Sequence, residues 1–212
     1  MSLRDVPAIP IGDKQDTNVQ LYTYGEDLYA AMLQSIDEAR ECVYLETFIW
    51  KSDETGHKFK VAVERAANRG IKVFVIYDKF ANLVVPSSFK RFTPAVHVLE
   101  YPLAPSIWHP FQLSNYARDH RKLLAVDGKI AFIGGYNLGD TYAHEWRDTH
   151  AQIIGPGALE IENAFIDFWN DNRVGRQAAI PERFQRSWDP HMSIHRNDPR
   201  MLIYPIRSTY LE

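Results

Sequence analysis

The apolar positions change period along the chain, and those changes predict where helices and strands lie. After Gly25-Glu26-Asp27, Leu28, Met32, Ile36 and Ala39 recur at helical spacing, with acidic residues at the start of the helix. The stretch 43–50 is rich in β-formers, and strict alternation puts Tyr44, Glu46, Phe48 and Trp50 on one face. A second helix is expected over about 58–69, stopped by Gly70. Residues 71–77 follow as a strand ending at Asp78, and 95–101 as another. The runs 122–126 and 129–133 flank Asp127-Gly128, a strong hairpin signal. A further strand over 149–154 is closed by Gly155-Pro156-Gly157. A last helix over about 158–170 buries Leu159, Ile161, Phe165, Phe168 and Trp169.

Strands alternating with helices, then a hairpin, predict an α/β fold with a mixed β-sheet flanked by helices. Residues 1–18 read as a lead-in, 19–172 as the folded unit and 173–212 as a linker or tail. In the last span arginines are scattered among Pro181, Pro190 and Pro199. The stretch 101–117 lacks Asp, Glu, Lys and Arg, but Pro102, Pro105 and Pro110 make it a loop rather than a helix.

Composition changes this picture little. Of 212 residues 45% are hydrophobic and 24% charged, as in ordinary globular proteins. The net charge of −3 counts against a nucleic-acid partner, whose binding surface would be basic. Cys42 is the only cysteine, so no internal disulfide can form. No run of 18 apolar residues is present, and the first residues lack a basic-then-apolar signal. A cytoplasmic protein is therefore expected.

The chemistry concentrates between His120 and Asn137. On a strand, His120 and Lys122 point the same way, roughly 6.6 Å apart along the chain. That spacing suits an imidazole and an ammonium facing one phosphate group. Neutral imidazole is a competent nucleophile near pH 7, and a lysine stabilises oxygens that gain charge in phosphoryl transfer. Gly134 and Gly135 remove side chains where backbone must turn or approach a ligand. Asn137 can donate to an oxyanion, and Asp127 heads the turn, where its carboxylate can accept backbone N–H groups. The pair alone would suit a plain surface hairpin. All six positions together would match by chance on the order of once in 10⁷–10⁸ start positions.

The pattern His120-x-Lys122-(x)4-Asp127-(x)6-Gly134-Gly135-x-Asn137 resembles the phospholipase D superfamily signature without a gap. Arg118-Asp119-His120-Arg121-Lys122, Phe132 through Leu138, and Trp146-Arg147-Asp148-Thr149-His150 narrow the likeness to its bacterial cardiolipin synthase branch. The resemblance extends over about 19–172 and implies a phospholipase D-like half-domain. It implies that His120 attacks phosphorus to give a phosphohistidine, while Lys122 and Asn137 hold the non-bridging oxygens. Asp148 stands where the family places a carboxylate that orients the nucleophilic histidine, and Asp127 is implied to be structural. No cofactor or metal is implied.

Family sites use two copies of the motif, the second histidine protonating the leaving oxygen. This chain carries one copy, so the second half is expected from a homodimer partner or from a C-terminal domain beyond residue 212. The implied substrate is a phospholipid of the phosphatidylglycerol type, with a membrane surface as a further partner. A nuclease or other phosphodiesterase with the same nucleophile is the alternative, as is an inactive half-domain. Glu46, Arg118 and Trp108 are weaker substrate-site candidates. Trp108 lies in the aromatic 101–117 loop, which is either packed or a lipid-facing rim. Asp148 and His150 share a strand face, but two groups fall short of the three or four a metal site usually needs.

Overall fold

A computed structural model describes residues 9–10, 17–102 and 118–181. Among them one mixed sheet carries β1 (Ile9–Pro10), β2 (Asn18–Tyr22), β3 (Cys42–Thr47), β4 (Lys72–Asp78), β5 (Val96–Tyr101), β6 (Leu123–Val126), β7 (Ile130–Gly134) and β8 (His150–Ile154). Their order across the sheet is β1-β2-β8-β7-β6-β3-β4-β5. β3, β4 and β5 run parallel, and every other pairing is antiparallel. The helices are α1 (Gly25–Glu38), α2 (Glu54–Asn68), α3 (Asp140–His144) and α4 (Ala158–Asn172).

Alternation along the strands divides the core into two layers. Val43, Leu45, Val73, Val75, Leu124, Val126 and Phe132 pack with Leu28, Met32 and Ile36 of α1 and Phe59, Val63 and Ala66 of α2. Their neighbours Tyr44, Phe74, Ile76, Leu123, Ala125 and Ala131 point the other way, onto Ile161, Phe165 and Trp169 of α4. The stripe expected on α1 is the buried one, and the α/β architecture with a mixed sheet is as expected. On α4, Ile161, Phe165 and Trp169 are buried, while Leu159 and Phe168 are only partly covered.

Three local expectations change. α2 begins at Glu54, four residues before Lys58, because Asp53 caps it by accepting the Gly56 N–H at 3.0 Å. Trp50 does not share a face with Tyr44 and Glu46. β3 ends at Thr47, whose hydroxyl donates to the Ile49 carbonyl at 3.0 Å, and the bend carries Trp50 into the layer of α1 and α2. There its indole N–H donates to the Gly56 carbonyl at 2.9 Å. Finally, β2 and the five-residue α3 had no distinct signal in the apolar pattern.

Ile9 and Pro10 pair with β2 at the sheet edge. After α4 the chain folds back on that helix: Asn170 exchanges hydrogen bonds with the Ile180 backbone, and Ile180 is buried. In the β6–β7 turn both Asp127 and Gly128 have positive φ, 55° and 64°. The Asp127 carboxylate accepts the backbone N–H groups of Arg40, Glu41 and Cys42 at 2.8–2.9 Å. The motif aspartate thus ties the hairpin to the start of β3, far along the strands from the end that carries His120.

Candidate active site

The topology brings one end of five segments together. β6 runs antiparallel to β3, so the segment entering β6 meets the chain leaving β3. β7 leaves, and β8 enters, at that same end. His120 and Lys122 before β6, Asn137 after β7, Asp148 before β8, Phe48 after β3 and Asp78 closing β4 therefore share one rim. This is where the sheet switches from parallel to antiparallel, at the carboxyl ends of β3 and β4. Such switch points are where open α/β sheets leave crevices for ligands.

His120 and Lys122 both lie against one aromatic ring. The imidazole lies 4.6 Å from the Phe48 ring, centroid to centroid, and the Lys122 ammonium lies 5.2 Å from the same ring. His120 is exposed, whereas Lys122 is buried and donates to the His120 carbonyl at 2.6 Å. Phe48 is itself held from both sides. The Asn82 amide donates to its carbonyl at 2.8 Å, and the next N–H, of Ile49, donates to Asn137 Oδ1 at 3.0 Å. With Oδ1 so engaged, the Asn137 Nδ2 group makes no hydrogen bond among the described residues and remains a donor for a ligand.

The glycines of the motif are places where no side chain fits. A Cβ on Gly134 would lie 2.4 Å from the Thr149 carbonyl, and one on Gly135 would lie 2.1 Å from the Asp148 carboxylate. Asp148 accepts the Thr149 N–H at 2.7 Å, and its charge acts on Lys122. Among the described residues no hydrogen bond joins Asp148 to His120. The charge that raises the affinity of His120 for a proton comes instead from Asp78.

A second, buried network lies under the catalytic segment. Arg121 meets Glu46 with both ends of its fork, Nε to Oε1 at 2.5 Å and Nη2 to Oε2 at 2.8 Å. It also donates to the Ala164 carbonyl of α4 at 3.2 Å and covers the Phe168 ring at 4.1 Å. Asp119 lies beside this pair, and burial together with the Glu46 charge pushes its carboxyl well above the ordinary range. Its backbone N–H donates to Asp78 at 3.2 Å. Glu46 is thus occupied from within rather than presented to a ligand. Arg118 packs over Phe80 at 4.9 Å, and Trp108 falls outside the described residues. Asp78, Asn82, Asp119 and Arg121 carry no spacing pattern of their own. Asp119 and Arg121 flank the motif histidine, the only signal that could have drawn attention to them.

The charge states follow from these surroundings. Burial and the Lys122 charge lower the His120 pKa, an effect only opposed by Asp78. Burial pushes Lys122 down to about 8 against the pull of Asp119 and Asp148. Near pH 7 the pair is therefore a neutral imidazole beside an ammonium. His150 is 2% exposed and neutral, burial holding its pKa down to about 3, so it cannot serve as a proton donor at neutral pH. His57 and His97 pack against Phe89 and Phe74, and His144 pairs with Glu26.

A pH profile tests this assignment. A neutral nucleophile with a lowered pKa places the acid limb of the rate below 6.5, His120 losing its proton as pH rises. The alkaline limb falls near pH 8, where Lys122 loses its charge. Lys122→Arg should remove that limb from the measurable range while lowering the rate at neutral pH. An alkaline limb unchanged in this variant places the titrating group elsewhere.

Known structures share this architecture. The chain superposes on Nuc from Salmonella typhimurium, a phospholipase D family member, with a TM-score of 0.59 and 17% identity over 76% of this chain and 99% of that one. NucT from Helicobacter pylori gives 0.58 and 18% over 75% and 99%. The fold is thus the one seen in these phospholipase D-type structures. The sequence profile described as "Cardiolipin synthase, PLD-like domain" matches residues 32–169, and the chain belongs to that family. It is 33% identical over 208 residues to the cardiolipin synthase of Listeria welshimeri, covering 93% of this chain but 43% of the relative. The major cardiolipin synthase of Bacillus subtilis is 33% identical over 163 residues, 74% of this chain and 34% of that protein. The chain thus spans less than half the length of these curated relatives.

Proposed function

We propose that this chain is one catalytic half of a phosphodiester-transferring enzyme that acts on phospholipids of the phosphatidylglycerol type. The observation that carries the reading is the exposed, neutral His120 set against Phe48 beside the Lys122 ammonium, with the Asn137 amide on the same rim. A ring nitrogen of His120 attacks phosphorus as the bond to the leaving oxygen breaks, giving a phosphohistidine. Lys122 and Asn137 Nδ2 hold the non-bridging oxygens as they gain charge. An alcohol or water then attacks the phosphohistidine and frees His120. Asp148 supports the charge on Lys122, and any role toward a histidine ring requires a partner not bonded to it here.

The leaving oxygen needs a proton. Among the described residues no second histidine stands at this rim in a state to give one. The motif occurs once in the sequence, so the second half comes from another copy of the chain or from further sequence, consistent with the share of the relatives that the chain covers. No helix of the described residues is long and apolar enough to cross a membrane, and a bilayer substrate would be met at its surface.

Incubation of the enzyme, assembled with its second half, with phosphatidylglycerol vesicles tests the reading. Cardiolipin or phosphatidic acid is the expected product. Cleavage of DNA by folded protein, with no lipid product, overturns the lipid assignment in favour of a nuclease using the same nucleophile.

A further inference from the structure

The turns between β4 and β5 expose an apolar tip beside the catalytic segment. Val84 is 93% exposed, Leu83 56% and Phe80 53%. This exposure is built into the fold. Asn82, in their midst, is buried and ties the turn down: its amide donates to the carbonyls of Phe48 and Asp78 at 2.8 and 2.7 Å, and its oxygen accepts the Trp50 N–H at 2.8 Å. With residue 82 pinned inward, its neighbours Leu83 and Val84 face solvent.

Within the turns themselves the charged side chains have one sign. Between Asp78 and Val96 the chain carries Lys79, Lys90 and Arg91 and no acidic residue, in a protein whose net charge is −3. Lys79 and Lys90 share a single carboxylate, Glu100, at 3.5 and 3.7 Å, which leaves positive charge in excess. Arg118 lies against Phe80 at 4.9 Å, two residues from His120, and Asp78 at the root of the turn binds the Asp119 N–H. Apolar side chains at a tip with cations behind them match an anionic bilayer, whose acyl boundary takes the former and whose headgroups attract the latter. A flat protein partner would be matched by a broad face rather than by a narrow pinned turn.

We infer that Phe80, Leu83 and Val84 form an interfacial wedge that inserts into an anionic phospholipid surface, with Lys79, Lys90 and Arg91 as its electrostatic collar. The wedge sets His120 at headgroup depth, because the turn that carries it is bonded to the backbone at Phe48 and Asp119. This rests on the phospholipid reading of the site and adds the surface by which the substrate is approached.

The test measures binding, not turnover. A polarity-sensitive dye is placed on Val84→Cys, the native Cys42 being buried, and the full chain is mixed with equimolar phosphatidylglycerol–phosphatidylcholine vesicles. A blue shift is expected there and a much smaller one with pure phosphatidylcholine. The triple variant Phe80→Ser, Leu83→Ser, Val84→Ser should co-sediment with anionic vesicles roughly tenfold more weakly or worse. All three positions are exposed, so its melting temperature should be unchanged. A vesicle-bound protein whose dye does not shift, or a triple variant that binds as the parent does, overturns the wedge. So does a triple variant that turns a dimeric parent into a monomer of equal vesicle affinity, because the patch then joins copies of the chain. Binding as expected, with no lipid product even from the enzyme assembled with its second half, upholds the wedge and rejects the phospholipid reaction instead.

Discussion

A His120→Ala enzyme is expected to form no phosphoenzyme and to lose at least about 10⁴-fold in turnover, with its stability changed by less than about 1 kcal/mol. Both halves of this expectation come from the same geometry. The imidazole is exposed and its side chain packs on one ring, that of Phe48, so truncation removes little buried surface. The backbone it leaves behind is still held, since the His120 carbonyl accepts from Lys122 and the Asp119 N–H donates to Asp78. Lys122 and Asn137 would still bind a phosphate, so KM should change far less than kcat. The check is acid-quenched trapping with radiolabelled substrate, using the enzyme assembled with its second half. Label retained by the alanine variant would place the nucleophile on another residue.

Arg121→Met is expected to destabilise the fold by about 3 kcal/mol, the cost of leaving a buried carboxylate without its partner. Glu46 has no solvent-accessible side-chain surface, and both its oxygens are taken by the guanidinium. Arg121 also lowers the proton affinity of neighbouring Asp119, which burial and Glu46 raise. Without the arginine, Asp119 faces the Glu46 charge uncompensated and holds its proton still more tightly in the folded state than in the unfolded one. A carboxyl with a raised folded pKa loses stability as pH rises, so the defect should be mild near pH 4 and full at pH 7–8. The double variant Glu46→Leu, Arg121→Met should recover a large part of the loss, because it removes the stranded charge along with its partner. Urea melts at several pH values read this directly. A single variant as stable as the parent at pH 8 would mean that water, reaching the partly exposed guanidinium, already carries the pair.

Much of the fold was legible because it is locally encoded. The stripe of α1, the strand over 72–78 and the Asp127-Gly128 hairpin each rest on a short period or a turn that the chain carries within a few residues. The errors fall where local pattern is weak. α3 is too short to show a period, and β2 takes its shape from pairing with β8, 130 residues away at Gln152. The break after Thr47 shows a different cause. Alternation predicts one face for Tyr44, Glu46, Phe48 and Trp50, but side-chain bonds from Thr47, Asn82 and Asn137 bend the chain and send Phe48 to the catalytic rim.

The catalytic side divides the same way. The identities and spacing of His120, Lys122, Asp127, Gly134, Gly135 and Asn137 are properties of the sequence, because the proposed phosphoryl chemistry and a tight hairpin call for those residues at those intervals. Tertiary structure alone decided their surroundings. It set the imidazole and the ammonium against Phe48 and brought the Asp148 charge within reach of Lys122. It also buried Glu46 and Asp119 against the Arg121 guanidinium as a support beneath the site. These relations join residues up to 75 positions apart, and proton affinity and burial depend on everything packed around a group. No interval along one chain encodes that.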